Sequence, residues 1–203
     1  MALHRDSHGC AFDRIPERLE EWFGNGAPIH VEIGCGYGEW VVRQAATLPH
    51  LNFVAIEVQR KRVLATLRQV AAAALPNVKV VSCDASLCFE QFIPDASLAA
   101  VHLNFPDPWP KARQQKNRLV QPPFIALVSD KLVVDGRWHH VTDHVDLNEH
   151  MIDVLDQAPK LAPDLPHPYH TAQVPEYLQG TVFGNLWEEL RRDKYYSSWR
   201  RIA

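Results

Sequence analysis

The chain has 203 residues, 46% of them hydrophobic and 22% charged, values ordinary for a single globular domain. Its formal net charge is −3, so the molecule as a whole does not attract a polyanion, and a nucleic-acid partner has to be met by a local basic patch. No run is apolar enough to span a membrane, and the first 13 residues carry charges where a signal peptide has its apolar core. The four cysteines, Cys10, Cys35, Cys83 and Cys88, have neither zinc-ligand spacing nor the density of a disulfide scaffold, which implies a reducing, cytoplasmic setting.

Residues 1–27 form an N-terminal segment in which Pro16 to Phe23 is predicted as a short helix, ended by Gly24-Asn25-Gly26. His30 to Gly34 reads as a buried strand, Glu39 to Leu48 as a helix and Asn52 to Val58 as a second strand. Arg60 to Ala74 is alanine-rich with Val63, Leu64, Leu67 and Val70 at helical spacing, and Pro76-Asn77 breaks it. Val78 to Ser82 is the third strand, followed by a short helix from Ser86 to Phe92 and a fourth strand from Leu98 to Phe105. Gln121 to Leu132 is helical, with Pro122 and Pro123 tolerated only in its first turn. Asp135-Gly136 reads as a turn, Arg137 to Thr142 as a fifth strand and Asp146 to Gln157 as a helix. Residues 158–175 are proline-rich and irregular, and Tyr195 to Ile202 is a last strand with Trp199 facing inward. Strands alternating with helices predict an α/β fold, a mostly parallel central sheet with helices on both faces. The expected organisation is one domain over 1–203, with a cofactor-binding core at 28–157 and a substrate-side segment at 158–203.

The fourth strand delivers Asn104-Phe105-Pro106-Asp107-Pro108-Trp109-Pro110-Lys111. Prolines so dense exclude helix interior and central strand, and leave a stiff loop bearing a carboxylate, an indole and an ammonium. Glu57, Asp84, Asp107 and Asp143 all fall at or just after predicted strand ends, the edge at which sheets of this kind bind ligands. Each alone would pass for a helix cap or a turn residue.

Glu32-x-Gly34-x-Gly36-x-Gly38 lies at a strand–loop–helix junction, where glycines let the backbone approach a ligand. A dinucleotide fingerprint would need its third glycine at position 39, which is Glu39, an acid ill-suited to a pyrophosphate. The acid followed by G-x-G-x-G instead resembles motif I of the class I S-adenosylmethionine methyltransferases, whose fold is Rossmann-like. That resemblance implies S-adenosylmethionine as cofactor, with Glu32 orienting the methionine part, Glu57 accepting from the ribose hydroxyls, and Asp84 with Ala85 at the adenine.

The proline loop, followed by Arg113, Lys116, Arg118 and Leu119-Val120-Gln121-Pro122, resembles the signature of the tRNA (guanine-N7) methyltransferases. Ile56-Glu57-Val58, Cys83-Asp84-Ala85, Thr142-Asp143 and Thr181-x-Phe183 fall in that family's order. The resemblance covers about residue 28 to the end, weakest from 158 to 180. It implies methyl transfer to guanine N7 in tRNA, with Asp107 as active-site acid beside the cofactor. It also implies that Lys111, Arg113, Asp143, Thr181, Phe183 and Gly184 hold the guanosine or the nearby RNA. Two departures stand out. Gly184 occupies the place of a family glutamate, and Gln114, Gln115 and Asn117 thin the basic run after the loop. They keep open a methyltransferase acting on another RNA site or a small molecule, and, as a third reading, a binding protein without catalysis.

The basic residues cluster twice, at Lys111, Arg113, Lys116 and Arg118 and again at Arg191, Arg192, Lys194, Arg200 and Arg201, the second set among Tyr195, Tyr196 and Trp199. Such clusters suit phosphates with a stacked base, or equally a solvated face. His139 and His140 project to opposite faces of a strand, so the run His139 to His150 is not expected to hold a metal. Monomer and homodimer are both compatible with the sequence.

Overall fold

The computed structural model describes residues 4–5, 11–12, 19–176, 179, 189–190 and 192–203. Its elements, in chain order, are β1 (His4–Arg5), β2 (Ala11–Phe12), α1 (Leu19–Phe23), β3 (Ile29–Ile33), α2 (Glu39–Thr47), β4 (Asn52–Glu57), α3 (Arg60–Ala72), β5 (Val78–Ser82), α4 (Ala85–Gln91) and β6 (Leu98–Asn104). A 3-10 helix (Ala112–Asn117) follows, then α5 (Pro122–Lys131), β7 (Leu132–Thr142), α6 (Val145–Asp156), β8 (Leu161–Pro163) and β9 (Tyr195–Arg201).

The strands form one sheet in the order β1-β2-β5-β4-β3-β6-β7-β9-β8. The five central strands, β5 to β7 in that order, run parallel, and β9 and β8 add on antiparallel beyond β7. Strand β4 is buried along its whole length, as a strand covered on both faces must be. Its alternation sorts the core. Val54 and Ile56 face Phe89 of α4, Ile125 and Val128 of α5 and Met151 of α6, while Phe53 and Ala55 face Trp40 and Val41 of α2 and Val63 of α3. The chain runs outward from β3 through β4 to β5, then returns to place β6 on the other side of β3. The crevice between β3 and β6 is therefore the point where the strand order reverses, the usual ligand site in an open parallel sheet.

One expectation is corrected. Asp135-Gly136 is not a turn that precedes a strand. It lies inside β7, where the register against β6 shifts between Leu98 and Ala100, Asp135 has φ 65°, and a Cβ on Gly136 would lie 2.8 Å from the carbonyl oxygen of Val133. From Leu132 to Arg137 β7 advances five residues while β6 advances two, from Leu98 to Ala100, a bulge-like irregularity that uses the residue types of a turn but keeps the strand going. Cys83 is disulfide-bonded, a single bridge rather than the dense framework of a disulfide scaffold. Cys35 and Cys88 are buried free thiols. The short strand β8 lies in the segment read as irregular, and β1 and β2 in the N-terminal segment, where no strand was expected.

Candidate functional site

The register places Ile33, Ile56 and Leu103 side by side on β3, β4 and β6, so the residues that follow them emerge together at the carboxyl edge of the sheet. A cavity of about 880 Å³ opens there. Gly34, Glu57, Asp84, Ala85 and Asp107 line it, with Asn104, Trp109, Arg118 and Phe124.

The glycine turn is shaped by three left-handed residues, with φ 72° at Gly34, 60° at Gly36 and 90° at Gly38. A Cβ at Gly34 or Gly36 would meet nothing within 4 Å, whereas one at Gly38 would lie 2.5 Å from Cγ2 of Thr66. The first two glycines thus leave open space in front of the backbone, and the third lets α2 start hard against α3. Thr66 also donates its hydroxyl to the carbonyl of Gly36 at 3.1 Å.

Glu57, only 3% exposed, accepts from the backbone N–H of Gly36 at 3.1 Å and of Gln59 at 2.8 Å, with the Arg62 guanidinium 3.8 Å away. It braces the glycine turn from the neighbouring strand. Glu32, equally buried, accepts from Nδ2 of Asn104 at 3.1 Å through Oε1, while Oε2 is buried without a partner. Burial pushes the Glu32 carboxyl up to about 8, against the pull of the Asn104 hydrogen bond. Asp84 caps α4 by accepting from the N–H of Leu87 through Oδ1 at 3.2 Å, so a local cap and a place at the cavity wall coexist in one side chain.

The proline loop leaves β6 with Phe105 at φ 49° and Trp109 at φ 44°, conformations that non-glycine residues hold only where their surroundings impose them. Between them Asp107 is exposed at the cavity. Lys111, Arg113 and Lys116 are exposed and stand outside the cavity lining. Arg118 is buried, so the basic run divides in two.

Asp143, at the end of β7, pairs with Arg192 at 3.4 Å and does not line the cavity. Thr181, Phe183 and Gly184 lie outside the described residues. His139 and His140 do fall on opposite faces of β7. His139 stacks on His102 and meets the hydroxyl of Tyr196 at 3.0 Å, and His140 accepts from Nε1 of Trp138 and meets Asn148. Among the described residues no group of three His, Cys, Asp or Glu side chains is arranged to hold a metal ion. Sequence reasoning missed Asn104 and gave Arg118 the wrong surroundings, because the partners of both are set by strand order and helix packing.

Residues 26–196 match a family model described as "Putative methyltransferase". Curated relatives include the tRNA (guanine-N(7)-)-methyltransferase of Sodalis glossinidius, 44% identical over 150 residues, or 74% of this chain and 63% of the relative. The protein of the same name from Alkalilimnicola ehrlichii is 46% identical over 146 residues, or 72% and 62%. The match thus spans less than two thirds of these relatives' length. Among solved structures, the 16S rRNA methyltransferase KamB superposes with a TM-score of 0.67 at 13% identity, over 94% of this chain and 97% of that one. An antibiotic-related methyltransferase does so with 0.65 at 16% identity, over 89% and 91%. At such identities the likeness speaks for the fold, that of the class I methyltransferases.

Proposed function

The chain belongs to this methyltransferase family, and from that premise we propose that it transfers a methyl group from S-adenosylmethionine to N7 of a guanosine in tRNA, in the cytoplasm. The observation that carries the reading is the convergence of Gly34, Glu57, Asp84 and Asp107, from the ends of four neighbouring strands, on one cavity. The residues present fit the cofactor. Glu32 has an orphaned buried oxygen suited to an ammonium, the space before Gly34 and Gly36 is open, and Asp84 keeps an oxygen uncommitted by its cap for an exocyclic amine. Glu57 retains lone pairs for ribose hydroxyls beyond the two backbone donors it already accepts.

When bound, the cofactor supplies an electrophilic methyl group. The lone pair of guanine N7 needs no deprotonation, so the protein has to align donor and acceptor and exclude water. Asp107 accepts from the guanine N1–H and amino group and favours the positive charge developing on the purine. Lys111 and Arg113, exposed beside the loop, take phosphates; Asp143 and the Thr181-to-Gly184 segment complete the substrate side, within the 158–203 segment for the latter.

A second reading keeps the chemistry and changes the acceptor, on the ground that Gly184 stands where the resembled family has a glutamate. Incubation with methyl-labelled cofactor and tRNA lacking this modification, then nucleoside mapping, tests both. Label in N7-methylguanosine is the expected result. Label in another nucleoside, or label only when a different RNA is supplied in place of tRNA, replaces the first reading with the second.

A further inference from the structure

Arg118 closes the basic run after the proline loop, but its surroundings are those of an interior residue. It is 5% exposed and lines the cavity, whereas Lys111, Arg113 and Lys116 face solvent. Its Nε–H donates to the carbonyl of Pro108 at 3.1 Å, and Nη1 reaches the carbonyl of Asp146, in the first turn of α6, at 3.5 Å. Nη2 is buried without a partner. Both acceptors are backbone carbonyls, so the guanidinium is used for its diverging donors rather than to neutralise a carboxylate.

The loop needs such a hold. Pro106, Pro108 and Pro110 have no N–H, so its backbone cannot be laced into a ladder. Its ends are fixed by Phe105, whose N–H donates to Val141 at 2.8 Å, and by Lys111, whose carbonyl accepts from Gln114 at 2.7 Å. Between those points Phe105 and Trp109 sit at positive φ, and such residues relax unless neighbours prevent it. The bond from Arg118 falls on Pro108, between Asp107 and Trp109. Two residues beyond Arg118, α6 holds the chain again, Nε2 of His150 meeting the carbonyl of Val120 at 2.8 Å. Helix α6 begins just after Asp143, with His144 as its cap. One buried side chain therefore ties the loop bearing Asp107 to the helix that follows Asp143.

We propose that Arg118 is a positioning residue, holding Asp107 and Trp109 at the cavity by bridging Pro108 to α6, and is not a phosphate contact. The proposal rests on Asp107 being the active-site acid. Lysine cannot replace it in full, because an ammonium lacks the fork that reaches two carbonyls in different directions.

The test uses the full chain with Arg118→Met, Arg118→Lys and, as the phosphate-contact comparator, Lys111→Ala. Three quantities are read: amide exchange at Asp107, Trp109 and Lys111, single-turnover methylation of saturating tRNA, and tRNA affinity against salt. Arg118→Met is expected to speed loop exchange about 10-fold or more and slow transfer by a similar factor, with β4 amides still protected and the salt slope of tRNA binding unchanged. Arg118→Lys falls between. Lys111→Ala makes the salt slope shallower by about one and leaves loop exchange alone. Unchanged loop exchange in both Arg118 variants overturns the proposal. So does a shallower salt slope with full transfer at saturating tRNA, the signature of a phosphate contact. If Arg118→Met loses β4 protection as well, Arg118→Lys decides. If the wild type leaves tRNA unmethylated, the exchange measurement still decides the positioning role, and the functional reading alone fails.

Discussion

Asn104, the last residue of β6, donates from Nδ2 to Oε1 of Glu32 on β3 at 3.1 Å, a bond across the two strands between which the sheet order reverses. It holds one carboxylate oxygen and leaves the other buried and unpartnered. Burial, against the pull of that bond, keeps the carboxyl protonated at neutral pH, and in the proposed function the unpartnered oxygen is the one that meets the cofactor's ammonium.

The first prediction follows from that arrangement. With the Glu32 carboxyl raised to about 8, binding of an ammonium-bearing cofactor at neutral pH has to displace its proton, so affinity rises with pH up to about 8. Calorimetry in buffers of different ionisation enthalpy reads the released proton. Glu32→Gln is expected to weaken binding and abolish the release. Asn104→Ala, which removes the bond that lowers the carboxyl, moves the rise to higher pH. Folding has the matching sign: the native state holds this proton above the unfolded value near 4.5, so Glu32 lowers stability as pH climbs from there to about 8. Binding without proton release would remove Glu32 from the cofactor site.

Glu57→Ala takes away the acceptor for Gly36 and Gln59 and, in the proposed function, for the ribose. Loss of a charged hydrogen-bond acceptor is expected to weaken cofactor binding by about 1.5–3 kcal/mol, while the central strands keep their fold. Unchanged affinity by calorimetry would reject the ribose assignment.

The glycines of the turn are separable. Gly38→Ala puts a methyl 2.5 Å from Cγ2 of Thr66 at φ 90° and is expected to destabilise the fold by about 2–4 kcal/mol from overpacking and a left-handed backbone combined. Thr66→Ser in the same chain returns part of that by removing the clashing methyl. Gly34→Ala meets no atom within 4 Å, so its stability loss stays near the backbone contribution of about 1–2 kcal/mol. Its larger effect is expected on cofactor affinity, since the proposed site places the ligand in that open space. Denaturant melts and calorimetry on both variants compare the two losses, and the reverse ranking contradicts the assignment.

Acid sensitivity follows from buried imidazoles. His30, His102 and His139 line up across β3, β6 and β7, with centroids 5.2 and 4.9 Å apart. Burial lowers His30 to about 4, His139 to about 3 and His140 to about 4, and holds His102 well below the usual value. The unfolded chain protonates these rings below 6.5 and the native state does not, so stability falls as pH drops through the window from 6.5 to about 4. The slope approaches ~1.4 kcal/mol per pH unit for each ring. His139→Phe keeps an aromatic in the stack and flattens the decline by one proton. A flat stability profile between pH 6.5 and 4 contradicts the burial of neutral rings.

Asp107→Asn places a donor where the proposed chemistry needs an acceptor. Single-turnover transfer to tRNA is expected to fall about 10²-fold or more, by analogy with other lost transition-state hydrogen bonds, and cofactor affinity to fall less. Equal rates at saturating cofactor would leave the loop as scaffold.

By itself the sequence determined the central strands and helices and the placing of acids at strand ends. Local chemistry is enough for that: Gly34, Gly36 and Gly38 announce a turn that lets the backbone approach a ligand, Pro106 and Pro108 a stiff loop, and the alternation of strands and helices a mostly parallel sheet with Glu57, Asp84, Asp107 and Asp143 at its strand ends, of which Asp143 stands outside the cavity lining. What a residue meets across the fold was decided only by tertiary structure. Arg118 reads as one more surface cation until 3-10 helix and α6 enclose it, and Asn104 reads as a strand end until β6 returns beside β3. Asp135-Gly136 has turn chemistry whether the chain reverses or bulges, and only the pairing of β7 with β6 chooses. Residue type and spacing fix backbone preference within a few positions, whereas strand order, and with it every side-chain partner from a distant part of the chain, is set by packing of the whole core.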